Sequence, residues 1–164
     1  MMHYFLALEV WKNIDDIFLC EGKNVVDIMN RFRMMDCNTI ATTMASNMNL
    51  LCDTASAIVD VTVYMKIISL LMHFMNTRPY ICFPVNTLCQ YMVETRYVLM
   101  IVVNHVLKFL KGMITYGIRY AISQRIILQG YVDSHWSTSV FDRKSTSGCF
   151  FSLWFCMISW FRKK

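Results

Sequence analysis

Gly130-Tyr131-Val132-Asp133-Ser134-His135-Trp136, followed by Asp142-Arg143-Lys144-Ser145-Thr146-Ser147-Gly148, decides how the chain is read. Ile126 to Val132 is an apolar, β-forming run that leads straight into an aspartate. A polar turn separates it from a second apolar run, Cys149-Phe150-Phe151-Ser152-Leu153. Such spacing predicts strand, turn, strand. An acid at the end of a buried strand can hold a divalent cation, because carboxylate oxygens suit Mg²⁺ and Mn²⁺. The competing reading of Asp133 is a turn residue, the commoner use of aspartate after a strand.

These residues resemble the start of the ribonuclease H domain in copia-type retrotransposon Pol polyproteins. That family reads G-Y-[ST]-D-[AS]-D-W-A-G, then D-R-[KR]-S-T-S-G, then an apolar strand and I-S-W. Gly130, Tyr131, Asp133, Trp136, the run Asp142 to Gly148, and Ile158-Ser159-Trp160 match it. His135 stands where a second aspartate is expected, and Ser137-Thr138 replace Ala-Gly.

Upstream, Tyr4 to Trp11 reads as a strand, Asn13-Ile14-Asp15-Asp16 as a turn, and Ile17 to Cys20 as the return strand. Val25, Ile28, Met29 and Phe32 then recur at helical spacing over Asn24 to Phe32. This segment is similar to the copia-type pattern F-L-G-L-E-V, I-F-L-S-Q-x-K-Y-x-x-D-[IL]-L, through Phe5, Leu6, Leu8, Glu9, Val10, Ile17, Phe18, Leu19, Lys23, Asp27 and Ile28. The resemblance implies a hairpin that helps hold the primer terminus. Ala7 replaces a glycine of the pattern, which puts a close backbone approach there in question.

Residues 35–63 are rich in Ser, Thr, Asn and Asp and read as an irregular linker. Three helices are expected next: Tyr64 to Met75, stopped by Thr77-Arg78-Pro79; Cys82 to Met92; and Tyr97 to Lys111, with Gly112 as its C-cap. Their order resembles the thumb and connection region of copia-type reverse transcriptase, through Asn76-Thr77-Arg78-Pro79 and His105-Val106-Leu107. Tyr80 stands for the family's aspartate after the proline, and Val102-Val103 for two alanines. A short strand at Tyr116 to Tyr120 precedes the last three strands, expected as an antiparallel meander.

The fold expectation is α+β: an N-terminal β-hairpin, a small helical thumb-like bundle and an incomplete RNase-H-like antiparallel sheet. The divisions are 1–34, 35–63, 64–120 and 121–164.

Composition narrows the function. Of 164 residues, 56% are hydrophobic and only 16% charged, and mean hydropathy is +0.40. The longest uncharged apolar run, Ser145 to Phe161, is dense in β-formers, so buried strands are preferred to a spanning helix. The first residues lack a basic n-region, and Glu9 cuts the apolar run short, so no signal peptide is expected. Seven scattered cysteines without a C-x-x-C pair read as reduced thiols in an intracellular setting. The four histidines show no ligand spacing, so no metal site is expected.

Ribonuclease H chemistry uses two divalent ions, Mg²⁺ in the intact family, held by converging carboxylates. The resemblance implies that Asp133 is the first of these, with the others beyond the matched stretch. The tyrosine-x-aspartate-aspartate motif of the polymerase is also missing. The expectation is a Pol segment without catalytic activity or cofactor of its own and without a small-molecule substrate. The departures from the pattern suggest an eroded insertion copy. One rival is a module that grips the backbone of an RNA–DNA hybrid through Lys108, Lys111, Arg119, Arg143 and Lys144, consistent with a net charge of +5. Another is an apolar fragment that docks on full-length Pol or a bilayer.

Overall fold

The computed structural model describes residues 2–44, 57–93, 95–121, 127–135, 146–153 and 156–163. Among them the class is mixed α+β, with four α-helices and two antiparallel sheets.

The strand read over Tyr4 to Trp11 is two strands, β1 (Met2–Phe5) and β2 (Leu8–Lys12), joined by a turn at Leu6 and Ala7. Both turn residues have positive φ, 48° and 66°. That is the backbone of a two-residue hairpin whose twist matches its flanking strands. β3 (Asp16–Cys20) returns as expected, closed by Asn13, whose backbone N–H donates to Asp16 O at 2.9 Å. The strand expected near 116–120 is β4 (Gly117–Ala121), and it pairs with β3, about a hundred residues away in the chain. The sheet order is β1-β2-β3-β4. Gly117 is required there: a Cβ would meet Leu19 O and lie 2.8 Å from Cζ of Phe18.

Helix α1 (Gly22–Arg31) buries Val25, Ile28 and Met29 against α2 (Val61–Phe74), α3 (Cys82–Cys89) and α4 (Tyr97–Lys111). Asp60 caps α2 by accepting from Thr62 N at 2.8 Å. Pro79 opens a 3₁₀ turn (Pro79–Ile81) that leads into α3, which is shorter than the sequence suggests. Tyr64 donates its hydroxyl to Leu88 O at 2.9 Å and so ties α2 to the end of α3. Val102 and Val103, the replacements for small residues, are both fully buried. Gly112 is the C-cap of α4, as expected, in the right-handed region (φ −65°).

α1 ends at Arg31, one residue short of the expected Phe32, and residues 32–44 carry no helix or strand, yet they are fastened down. Lys111 Nζ donates to Cys37 O at 2.6 Å, and His105 Nε2 lies 2.9 Å from Thr42 O. Residues 45–56 of the expected linker lie outside the described residues.

β5 (Leu128–His135), β6 (Thr146–Leu153) and β7 (Cys156–Lys163) form the expected meander, in order β5-β6-β7. β7 fastens it to the rest: Trp160 Nε1 donates to Met75 O at 2.7 Å, and Tyr120 donates its hydroxyl to Met157 O at 2.8 Å. Among the described residues no helix is long and apolar enough to cross a membrane.

A groove on the four-stranded sheet and the carboxylates around it

Cross-strand pairing places side chains in rows on one face. One row of the first sheet runs Trp11, Phe18, Arg119, and the next runs Tyr4, Glu9, Cys20, Gly117. Helix α1 folds back beside this face, and the two enclose an open groove of about 870 Å³. Tyr4, Trp11, Phe18, Lys23 and Arg119 are among its walls. Arg119 stacks over Phe18 at 5.9 Å from the ring centre, and Lys23 Nζ sits 5.5 Å from that of Tyr4. Arg119 Nε also pairs with Asp16 Oδ2 at 3.4 Å.

Two buried carboxylates hold α1 in place beside the sheet. Glu9, from β2, accepts from the Lys23 backbone N–H at 2.8 Å, where the helix dipole favours negative charge. Glu21, immediately before α1, accepts from Thr77 Oγ1 at 2.6 Å and from Asn24 Nδ2 at 3.1 Å. Its other contact is His73 Nδ1 at 3.3 Å. These partners come from α1, α2 and the turn after α2. Their arrangement is structural: a buried acid satisfied from three directions.

Arg78 is also buried. Its Nη1 donates to Met113 O at 2.7 Å, while Nε and Nη2 find no partner among the described residues.

The sequence-derived site residues fall in different places. Asp133 does not end a buried strand. It lies within β5, opposite Gly148, and the strand is exposed from Leu128 to Asp133. Among the described residues β5 pairs with β6 alone. Neither β6 nor β7 contains Asp or Glu. Among the described residues no group of three or more His, Cys, Asp or Glu could hold a metal ion. Lys108 and Lys111 lie one turn apart on α4, and Lys111 is engaged by Cys37 O. Arg119 stands in the groove. Asp142, Arg143 and Lys144 lie outside the described residues.

Tyr4, Trp11, Phe18 and Lys23 did not emerge as a site from the sequence. A signal existed for two of them. A turn centred on Ile14-Asp15 pairs Trp11 with Phe18, and the alternation of β2 and β3 then puts both rings on one face.

The chain is 29% identical over 163 residues to an uncharacterized mitochondrial protein of Arabidopsis thaliana, a match covering 99% of this chain and 68% of that protein. It is also 29% identical over 163 residues to the retrovirus-related Pol polyprotein from transposon RE2, and 28% identical to that from transposon RE1, both of Arabidopsis thaliana. Each of those matches covers 99% of this chain but spans only 11% of the polyprotein. No protein-family model matches the chain, and no solved structure matches it.

Proposed function

Since the chain belongs with the retrovirus-related Pol polyproteins of transposons, we propose that it corresponds to the copia-type segment between two catalytic centres and holds nucleic acid without performing chemistry. The observation that carries this reading is the extent of the likeness: 99% of the chain aligns with 11% of the polyprotein. The D-R-K-S-T-S-G run and Ile158-Ser159-Trp160 support the copia and RNase-H-like assignment. The test offers the purified chain a primer–template and an RNA–DNA hybrid with Mg²⁺ or Mn²⁺. Neither extension nor cleavage above the protein-free blank is expected. Mg²⁺-dependent cleavage abolished by Asp133→Asn would overturn the reading.

Gripping a hybrid by its backbone draws less support from the described basic residues. Lys111 already serves Cys37 O, and Arg119 already faces Asp16. Hybrid binding through Lys108 would be weak and strongly salt-dependent.

A second reading has its own observation. Leu128 and Val132 on β5 are 63% and 80% exposed, an apolar edge suited to docking on full-length Pol. Co-purification with full-length Pol, lost on Val132→Lys, would support it; undiminished co-purification would count against it.

A further inference from the structure

Alternation along β5, β6 and β7 sorts their side chains onto two faces. Trp160 shares a row with Phe150 and Tyr131 and donates to Met75 O, so that face turns toward the helices. Ser152, two residues along β6 on the same face, is buried. The opposite face carries Leu128 and Val132 from β5, Cys149, Phe151 and Leu153 from β6, and Phe161 from β7. Leu128, Val132 and Phe161 are each more than half exposed there.

Three features suit this face to a copy of itself. It is uncharged: the cross-strand rows that start at Leu128, Gly130 and Val132 contain no Asp, Glu, Lys or Arg. It is level at its centre, where the Phe151 ring lies so close over Gly130 that a Cβ there would stand 3.0 Å from it. Its two outer strands are unlike in size: in one row Val132 on β5 and Phe161 on β7 flank Cys149. A two-fold axis along β6 lays β7 of one copy over β5 of the other. Each Phe161 then meets a Val132, large over small, and the two Phe151 rings meet near the axis. Stacking of sheets about 10 Å apart is ordinary sandwich packing.

Each of the three strands has eight residues, so the face is about 27 Å long and about 14 Å wide. Two such faces in contact bury on the order of 1,000 Å² in total, at the threshold for a specific interface and below the range of permanent dimers. Pairing along the β5 edge alone would leave Phe161, two strands away, in water. We infer that two copies of this chain pair reversibly through this face as a closed, two-fold, sheet-on-sheet dimer. The pairing does not depend on nucleic acid.

The test is sedimentation velocity of the full chain from about 1 to about 200 μM, where monomer is expected to pass to dimer and stop there. Phe161→Lys and Val132→Lys should each weaken the dimer about tenfold or more. Tyr131→Ser, on the other face of β5, should leave it unchanged. Mixing Phe161→Lys with Val132→Glu sets lysine against glutamate at one contact and keeps the parent pair at the other. The equimolar mixture should therefore form dimer at concentrations where neither variant does alone. Unchanged circular dichroism shows that each variant is folded. A dimer indifferent to Phe161→Lys would assign association to the β5 edge, and no recovery on mixing would exclude the two-fold register; either result overturns the inference. So does a chain that stays monomeric throughout, whether the face then binds full-length Pol or lipid vesicles.

Discussion

Leu6 and Ala7 occupy left-handed backbone at φ 48° and 66°, a region that costs an L-residue about 1–2 kcal/mol. The pairing of β1 with β2 on either side holds them there. Ala7→Gly removes that strain but enlarges the freedom of the unfolded chain, so a net gain of about 0.5–1 kcal/mol is expected. Urea unfolding would show it as a higher midpoint with an unchanged slope; an unmoved midpoint would mean that the turn is not strained. Arg78 poses a different residue-scale problem. A buried guanidinium with two donors lacking partners among the described residues stabilises little. Arg78→Met is expected to fall within about 1 kcal/mol of the parent, or above it. Glu21→Ala, which strands Thr77, Asn24 and His73, should cost about 1–3 kcal/mol. The reverse ranking in the same urea series would show that the Arg78 donors are satisfied.

At the scale of elements, α3 carries a thiol at each end. Burial pushes Cys82 and Cys89 above the usual thiol range, although a hydrogen bond with Trp160 partly offsets it at Cys82. Burial also raises the Tyr64 hydroxyl, which bonds to Leu88 O on the same helix. A folded pKa above the unfolded one means that the native state keeps its proton longer. The stabilisation is then complete below the unfolded value, about 8.5 for a thiol, and fades as pH climbs through the folded value. Thermal midpoints should therefore hold near pH 7.5 and drop as pH rises above the unfolded thiol value; a flat profile there would contradict the burial of α3.

For the whole molecule, the contrast is between a helical core and an open sheet. The fully buried residues cluster in α1 to α4, where each apolar side chain contributes on the order of 1.5–3 kcal/mol. β5 instead leaves Leu128, Tyr131 and Val132 in solvent, and Phe161 on β7 is 59% exposed. An uncovered apolar edge strand favours self-association. Light scattering should rise with protein concentration in the parent chain and be suppressed in the double variant Leu128→Lys, Val132→Lys. Equal scattering from both would place the sticky surface elsewhere.

Local pattern alone determined the elements whose signals are local. Apolar spacing placed α2 and α4, Asn13 to Asp16 placed the β2–β3 turn, and β-forming runs placed the β5-β6-β7 meander. The family likeness was equally legible, because motif spacing is a property of the chain. Tertiary structure decided what depends on residues far apart. No local signal pairs Phe18 with Arg119 across about a hundred residues, yet that pairing completes the aromatic face. Leu6 and Ala7 have no strong preference for left-handed backbone, so the break between β1 and β2 arises from strand pairing on both sides. Asp133 looked like the end of a buried strand, but burial requires a covering layer, and among the described residues β5 has a neighbour on one edge only. Lys111 looked like a free cation, and only the packing of residues 32–44 brings Cys37 O to it. Hydrophobic period and turn chemistry act over a few residues, whereas exposure and partnership are set by whatever the fold brings alongside.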